Sequence, residues 1–362
     1  MATIAENLQT IQNIKQNIKT AIENKGVDMS NTPFTEYSTK INEIATGGGG
    51  SSTFVVPDGM KFSYSTISSL PEGAVFLNVS DASYMFNECR NLVSIPSFNT
   101  INTTNMKNMF TGCAKLQNVP YFNTHNVTSM QDMFSGCTSL QSIPLLDTVN
   151  VKNMGGMFRD CKNVETFPLL DTHNVTDMGC MFLGCTKITT IPLLDTSNTT
   201  QLGSLVFGCS NLTSIPQLNT SNTTGMNNMF YSCSKLITIP QLDTTKVTNM
   251  SGMFYGCSSL QSIPLLECGK VTSMGTFFGY SNINTLTELG GFKDLKISIT
   301  SCFLERTPNL TVDSLLNVIN NVYDLTGNGL SGQTLKFGNT NLNKLTEDQV
   351  AIATAKGWTL TA

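Results

Sequence analysis

Cysteine, histidine and the carboxylates are the residue types able to hold a metal, attack an electrophile or move a proton. In this 362-residue chain eleven cysteines and two histidines invite that search first. Eight of the cysteines (Cys89, Cys113, Cys137, Cys161, Cys185, Cys209, Cys233 and Cys257) recur every 24 residues. If such residues lie over one another with parallel side-chain vectors, they are badly placed for the roughly 90° torsion of a disulfide. They read as small buried thiols, with pairing between adjacent coils as the alternative. Cys180 and Cys185 stand close in sequence, but Cys185 belongs to the series, so no zinc set follows. His125 and His173 occupy one row two coils apart with Val149 between them, about 10 Å at the inter-strand spacing, which is too far for a shared metal. No phosphate loop, nucleophile elbow or spaced carboxylate pair rises above the repeat background. Neither an enzyme nor a cofactor is expected.

The same interval governs the rest of the chain. Pro96, Pro120, Pro144, Pro168, Pro192, Pro216, Pro240 and Pro264 keep the register of the cysteines, and a period of 24 residues marks a solenoid. A typical copy, Asn126 to Thr148, reads NVTSMQDMFSGCTSLQSIPLLDT. Met130, Met133 and Phe134 have helical spacing, and Gly136 follows where a one-turn helix needs a left-handed residue. The extended half, LQSIPLL, points Leu140, Ile143 and Leu146 inward, with proline at a bend or edge. Phe86, Phe110, Phe134, Phe158, Phe182, Phe230, Phe254 and Phe278 should stack as an aromatic spine. Each buried Phe or Met contributes about 1.5–3 kcal/mol, so coils stabilise their neighbours and none folds alone. Leu202, Leu205 and Val206 replace Met, Met and Phe in the sixth copy, where a packing defect or bend is expected. The Asx-Thr pairs that close each coil, such as Asp147-Thr148, read as turn-forming groups. A calcium site on stacked Asp147, Asp171 and Asp195 is the sharper alternative, although one carboxylate per coil is a thin ligand set.

Composition narrows the partners. Charged residues are 13% of the chain, and 21 Lys and Arg stand against 25 Asp and Glu. Only three are arginines (Arg90, Arg159, Arg306), which leaves no basic stripe for nucleic acid. No run approaches the roughly 18 apolar residues of a membrane span, and MATIAENLQTIQ lacks the character of a secretory signal. A surface adhesin would need an export signal or wall anchor, which neither end supplies.

The phrase NVTxMxxMFxGCxxLxxIP resembles the coil of the BspA-like branch of leucine-rich repeat proteins, found in adhesin-type surface proteins and in related repeats of gut bacteria and their phages. The resemblance covers residues 84 to about 283. It implies an α/β repeat solenoid, a leucine-rich-repeat-like right-handed coil of short strands and one-turn helices. Residues 1–46 are similar to N-terminal modules of bacteriophage tail and head fibre proteins. There Ile4, Leu8, Ile11, Ile14, Ile18 and Ile22 line a first helix, and Phe34, Tyr37, Ile41 and Ile44 follow a second apolar spacing. Such stripes need a partner, either other copies of the chain, with a trimer favoured, or other virion proteins. A self-contained helical hairpin is the alternative.

The Gly/Ser stretch 47–52 separates this module as a flexible linker. Residues 53–83, with a hairpin expected at Pro57-Asp58-Gly59, should cap the solenoid over 84–283. Residues 284–362 should close it as a leucine-rich-repeat-like cap, with a helix opened at Thr311, a capping box at Thr346 and Gln349, and a last strand from Trp358. Together these features predict a virion structural protein, made in the host cytoplasm, that presents its solenoid to a bacterial surface glycan or protein. A BspA-like surface adhesin and a decoration protein without a receptor are the alternatives. The row after proline, with Tyr121, Leu145, Leu169 and Leu193, is the first candidate contact surface, unless these side chains pack in the core. The row holding His125 and His173 is the second.

Overall fold

The computed structural model describes residues 54–71 and 74–362. Its repeating unit follows from where the backbone N–H groups go. In the turn half of the coil, alternate residues reach forward to the next copy: Met130 N–H to Asn153 O at 3.0 Å, Asp132 to Gly155 at 2.8 Å, Phe134 to Met157 at 2.9 Å and Gly136 to Arg159 at 2.7 Å. Residues between them bond back three positions, Met133 to Met130, Ser135 to Asp132 and Cys137 to Phe134. These N–H groups are thereby satisfied without a helix, many of them across the coil boundary. Equivalent residues pair in parallel through an unbroken series of bridges from Asp81 and Asn105 to Asn249 and Ser273. The molecule is a repeat solenoid.

The expected one-turn helix does not form. Asp132 takes φ 52° and Gly136 φ 75°, and the same two left-handed positions recur in neighbouring coils, at Asn108 and Gly112 and at Gly156 and Asp160. Two such residues four apart break an α-helix, and the Met-Phe segment becomes a chain of tight turns. Its spacing still sends Met130, Met133 and Phe134 to full burial.

The extended halves are held differently. Gln141 N–H bonds Gln117 O at 3.2 Å, and Thr148 Oγ1 donates to Asp171 O in the next coil at 2.8 Å. In two later coils glutamine side chains span the interval, Gln217 Nε2 to Gln241 O at 2.7 Å and Gln241 Nε2 to Leu265 O at 2.8 Å. Proline suits this half because few backbone donors are used there.

The phenylalanines stack as expected, with ring centroids 5.5, 5.7, 6.0 and 5.8 Å apart from Phe86 through Phe110, Phe134 and Phe158 to Phe182. The eight cysteines are free and buried, and each thiol donates to a carbonyl of the preceding coil, as Cys137 Sγ does to Phe110 O at 3.2 Å. Leu202, Leu205 and Val206 are fully buried, and their hydrogen bonds to the next coil persist, Val206 N–H to Met229 O at 3.2 Å. The smaller side chains interrupt the aromatic spine without breaking the backbone ladder.

At the N-terminal end the expected hairpin is replaced by a parallel pair, β1 (Val55–Val56) with β2 (Val75–Phe76). Met60 N–H closes a turn on Pro57 O, and the chain then joins the ladder: Phe62 N–H bonds Met85 O, and its ring lies 5.3 Å from Phe86. This incomplete coil covers the first apolar columns. The expected helices and apolar stripes of residues 1–46, including Ile4, Leu8, Ile11, Ile18, Phe34, Tyr37, Ile41 and Ile44, lie outside the described residues, as does the linker 47–52.

Beyond Phe278 the interval loosens. β3 (Ser262–Ile263) pairs with β5 (Glu288–Leu289), and β4 (Leu266–Glu267) with β6 (Phe292–Lys293), all parallel. Helix α1 (Val312–Asn321) is capped by Thr311, whose side chain accepts from Ser314 N–H. It is followed by β7 (Gln333–Lys336) and a short α2 (Asn339–Leu342). Helix α3 (Glu347–Ala355) carries the Thr346–Gln349 capping box, and Gly357 at φ 86° turns the chain into β8 (Trp358–Thr361), parallel to β7. Phe292 and Phe303 close over Phe277 and Phe278 and seal the end of the spine.

Candidate binding face

The end of the extended half alternates. Leu146 is buried, and its neighbours Leu145 and Asp147 point to solvent on the same side. Repeated coil by coil, this puts the row after proline outside: Tyr121, Leu145, Leu169 and Leu193 are 64%, 67%, 68% and 63% exposed. Core packing, the alternative for these side chains, is not where the fold places them; Leu146, Leu170 and Leu194 take that role. Four large side chains, three of them leucines, in one exposed column are an exposure that packing does not require.

Two residues on, the same face carries Asn123, Asp147, Asp171 and Asp195. His125 Nδ1 lies 2.9 Å from Asp147 Oδ2 in the next coil, whereas His173 Nδ1 lies 2.6 Å from Asp171 Oδ1 in its own. The two histidines are therefore exposed partners of separate aspartates and do not meet. Those hydrogen bonds hold the Asp147 and Asp171 carboxyls below the usual carboxylate range, and the Ser197 hydroxyl and backbone do the same for Asp195. The row stays ionised at neutral pH. Each of these aspartates also accepts from the backbone two residues ahead, as Asp147 Oδ1 does from Val149 N–H at 3.2 Å, the turn role expected of an Asx residue.

Farther along the axis the face opens into a groove of about 710 Å³, whose lining includes Asp195, Gln217, Asn219, Gln241, Asp243 and Glu267. Among the described residues no group of three or more His, Cys, Asp or Glu comes together as a metal set. No helix among them is long and apolar enough to cross a membrane.

Reading the sequence along the chain missed one more surface feature. Phe207, Tyr231 and Tyr255 stack at centroid separations of 4.3 Å and 4.3 Å, with Tyr280 edge-on at 6.0 Å. Reading the sequence vertically at 24-residue intervals would have shown three aromatics in one column.

Residues 80–193 and 176–290, more than half of the chain and nearly all of the regular solenoid, match the family model described as "Mycoplasma protein of unknown function, DUF285". The chain belongs to the DUF285 family. The curated proteins contain no match to this DUF285 chain. Among solved structures it is similar to a leucine-rich repeat protein of T. pallidum, at 21% identity over 50% of this chain and 82% of that one, with a TM-score of 0.39. It is also similar to the functional domain of InlJ from Listeria monocytogenes, which includes a cysteine ladder, at 16% identity over 73% of this chain and 60% of that one, TM-score 0.20. A third is TLR13 in complex with ssRNA13, at 15% identity over 79% and 42%, TM-score 0.30. The solenoid assignment for the DUF285 chain rests on its own inter-coil ladder.

Proposed function

We propose that this DUF285 protein is a non-enzymatic binding scaffold of the surface-adhesin type. Its extended-half face, with Tyr121, Leu145, Leu169 and Leu193 at the centre, docks onto a macromolecule on a cell surface. The observation that carries this reading is the exposed column itself: the fold buries an alternating partner for each of these residues and leaves them in water. Binding of the labelled full chain to bacterial and host cells tests it, beside a variant carrying Leu145→Ser and Leu169→Ser. Because both leucines are exposed, the variant keeps its fold. The expected result is at least a tenfold loss of cell binding; equal binding by variant and parent would end the proposal.

Attachment to a virion is the second reading, motivated by the likeness of residues 1–46 to phage fibre modules. Mass spectrometry of purified virions tests that reading separately, since the chain must be present in the particle if it holds.

A further inference from the structure

The aliphatic column and the carboxylate row beside it specify a partner more narrowly than adhesion alone. In the coil segments 117–125, 141–149, 165–173 and 189–197 there is no lysine or arginine, while Asp147, Glu165, Asp171 and Asp195 all occur there. Glu165 is met by Lys187 at 3.5 Å. Among the described residues, Asp147 and Asp171 have only histidines at ion-pair distance. Asp195 is held by Ser197, a neutral partner. The face is thus apolar along one line and anionic along the next, and among the described residues no lysine or arginine is at ion-pair distance from Asp147, Asp171 or Asp195.

Pitch favours a helix, with the column taken to step at the interval of the spine behind it. Successive coils of the spine are 5.5–6.0 Å apart at their rings. An α-helix repeats a face about every 5.4 Å, so over the three steps from Tyr121 to Leu193 the two registers drift by only about 1 Å. An extended segment presents a face about every 6.7 Å and drifts by about twice as much. A flat sugar ring takes its binding energy from aromatic faces, and this column offers a single tyrosine among leucines.

We propose that the partner is a cationic amphipathic α-helix lying along the solenoid axis. Its aliphatic residues, one per turn, sit between the side chains of Tyr121, Leu145, Leu169 and Leu193, and its Lys or Arg flank faces Asp147, Asp171 and Asp195. This inference rests on the face being a docking surface and adds the identity of what docks. The charges supply orientation, and the aliphatic contacts supply most of the affinity.

The test uses the full chain and a labelled synthetic helical peptide with leucines at helical spacing and lysines on one flank. A second peptide has every lysine replaced by glutamate. Fluorescence anisotropy should show saturable binding of the lysine peptide, at least tenfold weaker binding of the glutamate peptide, and weakening with added salt. Asp147→Asn with Asp171→Asn and Asp195→Asn should lose at least fivefold, and Leu145→Ser with Leu169→Ser at least tenfold. Equal affinity for the two peptides overturns the cationic partner. Lysine-peptide binding that survives loss of the leucines marks general charge attraction and overturns it too. If neither peptide binds while the leucine variant still loses cell binding, the docking face stands and the helical partner falls. If the leucine variant loses neither peptide nor cell binding, both readings fall.

Discussion

At the scale of single residues, the cysteines show how a chemistry-bearing series becomes structural. Burial pushes the Cys209 and Cys257 thiols up to about 12, and the other members of the ladder rise for the same reason. A thiol kept protonated and packed against a carbonyl is a poor nucleophile. Cys180 alone among the eleven is not fully buried. A colorimetric thiol assay on the native protein should therefore report one fast-reacting group and the full set only in denaturant; several fast thiols without denaturant would contradict the packed ladder. A second residue-scale rule is written in the left-handed positions. Asp132 Oδ1 lies where a side chain on Gly156 of the next coil would begin. Glu88 stands in the same relation to Gly112, and Asp160 to Gly184. Gly156→Ala should cost about 1–3 kcal/mol, from positive φ and this overlap together. Partial burial raises the Asp132 carboxyl above its usual value, with Arg159 and Lys107 opposing. A raised carboxylate opposes folding above its folded pKa and ceases to do so below the unfolded value of about 3.9. Asp132→Asn, which copies Asn108 and Asn228, should thus stabilise by about 0.5 kcal/mol or less at pH 7 after allowance for solvent screening. That gain should shrink toward about pH 3.5, below the unfolded value, in urea titrations at the two pH values.

At the scale of the element, the coil is a set of turns and an extended segment whose N–H groups serve two different coils. The Met-Met-Phe spacing was legible as an inward stripe, and it buries as such. It was misleading as a sign of helix, because an inward stripe at three-four spacing is also produced by consecutive tight turns. The signal that separates them is the pair of left-handed sites, and glycine marks neither in every coil; Asp132 and Ser204 hold φ above 50° at the first, and Asp160 and Ser232 at the second. Phe134 contacts Phe110 and Phe158 at 5.7 and 6.0 Å. Phe134→Ala should cost about 3–5 kcal/mol, against about 0.5 kcal/mol or less for Leu169→Ala in the exposed column. Urea midpoints of the two variants check the contrast, and a costly Leu169→Ala would mean that the column is part of the core.

At the scale of the whole molecule, each coil bonds its immediate neighbours, so stability is a sum of local interfaces and length is adjustable in whole units. Deleting residues 150–173, one full coil, should leave a folded body of the parent's oligomeric state by circular dichroism and gel filtration, while a deletion of half that length should not. Ending the chain at residue 283 uncovers Phe277 and Phe278, which Phe292 and Phe303 now cover, and should give aggregation. The repeat, the inward columns, the thiol ladder and the caps of the last helices were all legible in the residues alone, because each follows from residue type at a fixed interval and local hydrogen bonding. The same alternation also placed the leucines after proline on the outside as one of two readings. It took the packed coils to show that these leucines stay in water, that the aspartates share their face, and that His125 reaches the next coil while His173 turns to its own. Those outcomes depend on how far apart and how closely registered successive coils lie on the extended side, a distance set by the packing of the spine behind it and carried by no single segment.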